Sequence, residues 1–301
     1  MQKLKIRLPA TVTNLGPGLN ALGLALGLYT TVEISGRQDT TLNVQVSGEG
    51  AEQFSIPLRH PVVRAMARFF QHLERAHLGI NIRIENNIPL KSGLGAETAF
   101  TVAGILGANN LMGGLFNRDT MLRMAAEISG ADGVVAALLG GLVIAILDDD
   151  TLIYRALPVR SFPVVVVVPE LKNYAAPVLP EQISRREALF NLSRVPFLIE
   201  ALRAGDLRLF TQMLPDQLYA PRVAQQITGY PGVAEAALNN GALAVTPCGE
   251  GPALMAFAES RHERVGTAML AAFKDIGVNA RSWVLPIDTQ GVVISAVQSA
   301  M

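Results

Sequence analysis

The sequence predicts a globular protein that mixes strands and helices, and three observations support this prediction. Ile80, Ile82 and Ile84 alternate with polar residues, which is the period of a half-buried strand. Residues 98–111 are rich in Ala, Leu, Ile and Val and contain no proline, so they predict a mostly buried helix. The 301 residues are enough for two domains or for one large domain.

The segment between this strand and this helix is a glycine loop, residues 88–97, with the sequence IPLKSGLGAE. Gly93 and Gly95 allow a sharp turn and the close approach of another group. The first N–H groups of the following helix point out of its N-terminus, where the helix dipole is positive. Such a site favours anions, and phosphate is the usual one. For a Gly-x-Gly pair alone, an ordinary tight turn is the alternative interpretation.

Further elements follow from the same two periodicities. Leu4, Ile6 and Leu8 alternate with basic residues and predict an opening strand, and Val164 to Val168 between two prolines predict a strand buried on both faces. Residues 31–47 predict a hairpin of exposed strands with a polar turn at 36–40. Apolar positions at helical spacing predict helices over residues 61–73, 117–128, 187–204 and 265–273.

Composition limits the class of protein. Half of the residues are hydrophobic and 17% are charged, which indicates a folded rather than a disordered chain. Lys+Arg and Asp+Glu number 25 each, so the net charge gives no indication of nucleic-acid or anionic-membrane binding. The single cysteine, Cys248, excludes an internal disulfide and fits a reducing compartment. Without an apolar leader or a bilayer-length apolar run, we expect a soluble cytoplasmic protein, and we leave a homodimer open.

Four segments together resemble the GHMP small-molecule kinases, and homoserine kinases in particular. Residues 89–99 resemble the phosphate loop P-x-x-x-G-L-G-S-S-A, and residues 9–26 resemble P-A-x-x-A-N-L-G-P-G-F-D-x-L-G-L-A-L. Residues 241–252 are similar to G-A-x-x-x-x-x-S-G-A-G-P, and residues 190–194 match F-N-L-S-R. These matches lie in the family's order and cover most of the chain. Because the F-N-L-S-R helix is explained more simply as core, we assign no chemistry to it.

The resemblance implies a fold of two α+β domains. An N-terminal nucleotide-binding domain would span residues 1–158, and a ferredoxin-like C-terminal domain would span residues 159–301. It also implies a small-molecule substrate and the cofactors ATP and Mg²⁺, since members of this family phosphorylate the hydroxyl of homoserine, in threonine biosynthesis.

The resemblance further implies a set of site residues. The phosphates would be held by residues of the glycine loop and of the third motif, which are Pro89, Gly93, Leu94, Gly95, Ala96, Glu97, Thr98, Gly249 and Gly251. Thr98 and Glu127 would bind magnesium. Asn14, Asn20 and Asp132 would be the catalytic residues at the substrate.

Several family positions carry other residues in this chain. Ala96 and Glu97 replace the two serines of the phosphate loop, and Asn20 replaces an aspartate. The family's two substrate arginines fall at Ala176 and Val223, which cannot pair with a carboxylate. In the third motif Cys248 and Glu250 replace serine and alanine, and Cys248 is more simply a small buried residue than a nucleophile.

Glu97 is the most consequential replacement. A carboxylate about 5 Å from a phosphate costs roughly 3 kcal/mol at an effective dielectric near 20, against a dipole gain of about 0.3–1 kcal/mol. Two hypotheses follow. The chain is either an ATP-dependent kinase of a small hydroxylated metabolite other than homoserine, with Glu97 bridged to the phosphates by magnesium, or a catalytically inactive binding or regulatory relative whose loop Glu97 caps. The contacts of Glu97 distinguish the two.

Overall fold

The computed structural model describes residues 3–75, 79–179 and 181–297, and in this part of the chain eleven strands form two sheets. The strands are β1 Lys3–Thr13, β2 Leu22–Arg37, β3 Leu42–Gly48, β4 Gly79–Asn86, β5 Leu142–Asp148, β6 Thr151–Leu157, β7 Pro163–Pro169, β8 Ala244–Pro247, β9 Leu254–Phe257, β10 Ala280–Pro286 and β11 Val293–Val297. The helices are α1 Pro61–His72, α2 Ala96–Leu111, α3 Arg118–Ser129, α4 Ala131–Leu139, α5 Arg185–Ala204, α6 Leu207–Met213, α7 Ala220–Gln226, α8 Tyr230–Asn239 and α9 His262–Asp275.

The first sheet has the strand order β11-β1-β2-β4-β3, and β5 pairs with the start of β2 and with β6. Helices α2 and α4 pack against β1 and β2, while α1 and α3 pack beside them. The opening strand is confirmed and extends to Thr13, because a bulge between Pro9 and Ala10 lets β1 continue pairing with β2. The C-terminal strand β11 pairs antiparallel with β1, so both ends of the described chain lie in this sheet.

The predicted hairpin over residues 31–47 is wrong. Both strands exist, but β4 lies between them, antiparallel to β2 and parallel to β3. Arg37 at the end of β2 donates to Asn81 of β4 at 2.9 Å and forms an ion pair with Asp39. Strand period was read correctly from the sequence, whereas strand order was not, because β4 comes from a distant part of the chain.

Helix α2 is buried as predicted, and it begins two residues earlier than the sequence indicated. Gly95 is its N-cap, with φ of +72°, and it provides no side chain to the cap. Small residues let the helix lie deep in the domain: a Cβ at Gly104 would stand 2.5 Å from the carbonyl oxygen of Val62. The N-terminus of a buried helix is thereby fixed at the surface of the first sheet.

The second sheet has the order β10-β7-β9-β8 and is antiparallel. Helices α8 and α9 cover it, and the valines of β7 are buried as the sequence predicted. Helix α5 begins with a capping box between Ser184 and Glu187. The asparagine of the F-N-L-S-R segment, Asn191, is buried and donates to Asp216 at 2.6 Å, so this motif joins α5 to the segment before α7. In the described ranges, none of the helices has both the length and the apolar character needed to cross a bilayer.

His60 caps helix α1 from a buried position. Its Nδ1 accepts from the N–H of Val62 at 3.2 Å, and the ring lies between Phe54 and Phe100, with centroids 4.3 and 4.8 Å away. Its Nε2 has no partner among the described residues. Burial lowers the pKa of His60 to about 4, because the charged ring would lose its hydration.

We expect His60 to make the protein less stable in mild acid. The folded-state pKa lies below the ordinary value of 6.5, so the unfolded chain binds more protons and stability falls as the pH drops from 6.5 to 4. This contribution reaches about 3 kcal/mol at the acid end. Urea unfolding between pH 7 and 4 measures it against His60→Asn, which keeps a side-chain acceptor for the cap. Equal pH dependence of the two proteins would contradict the assignment.

Candidate active site

A cavity of about 440 Å³ lies where the glycine loop meets the end of β1, the start of α4 and the turn between β8 and β9. Its lining includes Asn14, Asn20, Asp132, Gly249 and most of the glycine loop. The structure therefore brings together ten of the residues that the sequence assigned to the site: Asn14, Asn20, Pro89, Gly93, Gly95, Ala96, Glu97, Thr98, Asp132 and Gly249.

Backbone hydrogen bonds fix the glycine loop from two sides. The N–H of Thr11 in β1 donates to the carbonyl of Leu94, and the N–H of Ala253 donates to the carbonyl of Ser92, both at 3.0 Å. Within the loop the hydroxyl of Ser92 donates to the carbonyl of Pro89 at 2.7 Å and accepts from the N–H of Leu94 at 3.3 Å. Hydrogen bonds within the protein thus hold the conformation of the loop.

The glycines allow two backbone segments to touch. A Cβ at Gly93, where φ is +88°, would lie 1.9 Å from the carbonyl oxygen of Cys248, and a Cβ at Gly251 would lie 2.0 Å from the carbonyl carbon of Ser92. No side chain fits at either position, so the backbone of the turn between β8 and β9 packs directly against the backbone of the loop and supports it. Gly251 and the buried Leu94 are consequently supports of the loop rather than part of the cavity lining.

Glu97 lies in the first turn of α2, with its side chain exposed at the cavity. Within the described residues its carboxylate makes no hydrogen bond and no ion pair. The loop is instead closed by Ser92, so the hypothesis that Glu97 caps it internally is not supported. The first N–H groups of α2 have no intrahelical acceptor, and the residues that carry them, Ala96, Glu97 and Thr98, line the cavity.

Asp132 is the buried acid of the cavity. It lies in the first turn of α4 and is 7% exposed. Its Oδ1 accepts from the N–H of Gly133 at 2.9 Å, whereas Oδ2 has no partner among the described residues. Burial, opposed by that hydrogen bond and reinforced by the charge of Glu250, raises the pKa of Asp132 to about 6. A carboxyl with a free oxygen and a pKa near neutrality suits proton transfer.

The two asparagines line the same cavity as Asp132. Asn14 is buried, and its Oδ1 accepts from the N–H of Asn20 at 3.0 Å. Both residues have φ of +55°, a left-handed conformation that asparagine tolerates better than most residues. This local bond holds the Asn14 side chain toward the cavity and leaves its amide donors for a ligand.

Glu127 does not reach this cavity. Its carboxylate pairs with Arg123 at 2.5 Å, and it lines a separate cavity beside Gln71 and His72. Its neighbours Ile128 and Ser129 line the first cavity. The direction of the Glu127 side chain on α3 therefore determines that its carboxylate lies outside this cavity. Thr98 and Glu127, the two residues implied as magnesium ligands, are therefore not brought together.

Sequence reasoning missed several lining residues: Thr11, Thr13, Lys91, Ser92, Ile128, Ser129, Gly130 and Glu250. Lys91 carried a usable signal, because it is the basic residue inside the glycine loop. Thr11 carried none, yet its buried Oγ1 also lacks a partner among the described residues. The interpretation of Cys248 is confirmed, since it is fully buried and burial raises the pKa of its thiol.

Comparison with known proteins identifies the family. The family described as "GHMP kinases N terminal domain" matches residues 60–141, and "GHMP kinases C terminal" matches residues 198–275. Homoserine kinase of Moorella thermoacetica is 34% identical over 294 residues, covering 96% of this chain and 99% of the relative. This protein is a homoserine kinase-like member of the GHMP superfamily. Homoserine kinase of Carboxydothermus hydrogenoformans is 35% identical over 279 residues, or 91% of each chain.

Solved structures agree with the GHMP fold. The crystal structure of homoserine kinase from Cytophaga hutchinsonii superposes with a TM-score of 0.84 at 26% identity, covering 97% of each chain. Mevalonate kinase of L. major, in complex with R-mevalonate, has a TM-score of 0.68 at 16% identity and covers 95% of this chain and 96% of its own, which shows a likeness of fold alone. The two-domain α+β fold of the GHMP kinases is confirmed.

We expect Gly251→Ala to destabilise the protein by about 1–3 kcal/mol, because the new Cβ overlaps the backbone of Ser92 and one segment must move. Gly232→Ala in α8 is the matched control, since a Cβ there meets nothing within 4 Å. That control should gain about 0.5–1 kcal/mol, as helical glycine replaced by alanine does. Urea unfolding measures both, and a Gly251→Ala protein as stable as the control would contradict the contact.

Proposed function

We propose that this protein transfers the γ-phosphoryl group of ATP to the hydroxyl of a small metabolite. One observation carries the proposal: a helix N-terminus suited to phosphate and a buried carboxyl with a free oxygen share one cavity. The relatives support it, because those most similar in sequence are named homoserine kinases. An inactive binding protein is not favoured, since Glu97 does not close the loop.

The donors of the cavity fit magnesium. Mg²⁺ prefers oxygen ligands and is usually held by one or two carboxylates together with substrate phosphates. Glu97 and Thr98 supply such oxygens at the glycine loop, and among the described residues no three or more acidic, His or Cys side chains lie close enough together to hold a metal ion by themselves. We therefore propose Glu97 and Thr98, instead of Glu127, as the protein ligands. When bound, the ion neutralises charge on the phosphates.

Different residues of the cavity then bind the phosphates, orient the acceptor and accept its proton. Loop amides and the first N–H groups of α2 hold the phosphate oxygens, and Lys91 adds a positive charge. Asn14 orients the acceptor, whose hydroxyl oxygen forms a bond to the γ-phosphorus. The bond from this phosphorus to the β–γ bridging oxygen breaks, and the hydroxyl proton moves to Oδ2 of Asp132. Proximity and charge supply most of the rate, since little covalent chemistry falls to the protein.

We propose the same domain division that the sequence indicated, 1–158 and 159–301. Strand β6 ends at Leu157 and β7 begins at Pro163, which supports a boundary between them, while β11 returns to the first sheet.

We also propose that the protein acts in the cytoplasm, where ATP is available and where an unpaired cysteine is stable.

Asp132 should control the pH dependence of ADP formation. Because the base must be ionised, kcat/KM should fall below pH 6, and Asp132→Asn should lower kcat by about 10²–10⁴-fold with nucleotide affinity kept. Asp150→Asn, in the exposed turn after β5, is the control. A panel of small alcohols assayed for ADP release supplies the measurement. Full activity of Asp132→Asn, or ADP release with none of the alcohols, would refute the proposal.

Glu97 should make nucleotide binding depend strongly on magnesium. Without the metal, Glu97→Ser should bind ATP roughly 5- to 150-fold more tightly, since about 1–3 kcal/mol of repulsion is removed from an exposed side chain. Magnesium should then strengthen ATP binding more in the natural protein than in Glu97→Ser. Calorimetric titration measures both, with Ala96→Ser as the control. An unchanged metal-free dissociation constant would show that Glu97 does not face the phosphates.

A further inference from the structure

The charges of the cavity are unequally distributed. Among the described residues that line it, three are acidic, Glu97, Asp132 and Glu250, and one is basic, Lys91. Lys91 belongs to the glycine loop, as Glu97 belongs to the helix that follows it. Asp132 and Glu250 therefore add two negative charges to the lining that Lys91 alone does not balance.

Glu250 is bordered by aromatic hydroxyls as well as by Asp132. Tyr174 donates its hydroxyl to the Glu250 carbonyl at 2.6 Å. After burial, the negative charge of Glu250 is the next cause that raises the pKa of Tyr174 to about 12, and it also raises the pKa of Tyr219. The same charge raises the pKa of Asp132. Glu250 is exposed at the cavity, and its charge acts both on the buried acid and on the two tyrosines.

The two positions that correspond to the family's substrate arginines carry uncharged residues in this chain. Val223 is fully buried in the core of the second sheet, and Ala176 is an exposed alanine. Arg222 does not replace them, because its Nε donates to the carbonyl of Leu218 at 2.9 Å and its charge acts on Glu187 at the start of α5. Among the described lining residues, a substrate carboxylate would thus meet three acids and one cation, Lys91, which we have assigned to the phosphates.

We propose that the acceptor is an amino alcohol without a carboxylate, with its hydroxyl at Asp132 and its ammonium at Glu250. The unpartnered, buried Oδ2 of Asp132 is the independent sign that a ligand group belongs at this end. An ammonium beside Glu250 offsets the acidic charge of the lining. The products are the phosphate ester of the amino alcohol and ADP, and the hydroxyl proton is released through Asp132. This inference rests on the proposed function and names its substrate class.

Matched acceptors test the charge requirement. Homoserine and 3-aminopropanol differ only by the carboxylate, and 1,3-propanediol lacks both charged groups. With ATP and magnesium, we expect kcat/KM for 3-aminopropanol to exceed that for homoserine by at least about tenfold, because the acidic lining repels the carboxylate of homoserine. Preference for homoserine would overturn the inference and leave the proposed phosphoryl transfer intact.

A variant isolates the role of Glu250. Glu250→Gln should raise KM for 3-aminopropanol about tenfold, the size of one lost charge-assisted hydrogen bond, with KM for 1,3-propanediol unchanged. Glu259→Gln, at an exposed ion pair with Arg208, is the control. An equal effect on both alcohols would overturn the role of Glu250 as ammonium partner.

Binding separates this inference from the proposed function. If no acceptor yields ADP, the proposed function fails, and ligand-observed NMR then compares binding of 3-aminopropanol with binding of homoserine. Stronger binding of 3-aminopropanol, lost in Glu250→Gln, supports the amine site. Equal or stronger binding of homoserine overturns it.

Discussion

The contact between two glycine-containing backbones is the constraint on which the site depends. Gly93 of the loop and Gly251 of the turn after β8 approach so closely that neither position admits a Cβ. Two backbone hydrogen bonds, from Thr11 and Ala253, hold the same loop. The first sheet, the second sheet and the N-terminus of α2 therefore meet at one point. Since backbone groups make these contacts, the loop keeps its shape although both of its family serines are replaced.

Electrostatics then decides what this rigid loop can bind. The amides at the start of α2 attract anions, while Glu97 in the same turn repels them. In the proposed function, a cation between Glu97 and a phosphate would remove that conflict and make metal and nucleotide binding interdependent. Asp132 and Glu250 add further negative charge to the same cavity, which a positive group on the proposed substrate would offset. With Lys91 as its one basic lining residue among those described, the cavity is short of positive charge.

Much of the fold followed from local patterns. The strand at Ile80–Ile84, the buried helix after the glycine loop and the valine strand β7 depend on periodicity, which the chain expresses within a few residues. Glycines of the loop were recognisable because only a residue without a side chain meets their constraints. Strand order was not recognisable: β4 separates β2 from β3, and nothing near residues 31–47 indicates a partner more than thirty residues later.

The sequence by itself determined the GHMP fold, the phosphate loop and the replacement of the family's serines and arginines. Each of these can be identified from short contiguous segments of the chain. Only the tertiary structure decided which side chains face the cavity. Successive residues of a helix point about 100° apart, so Glu127 turns toward Arg123 while Ser129 reaches the site. Likewise, Asp132 and Glu250 belong to opposite halves of the chain. The charge of Glu250 raises the pKa of Asp132 only because folding brings both residues to one cavity.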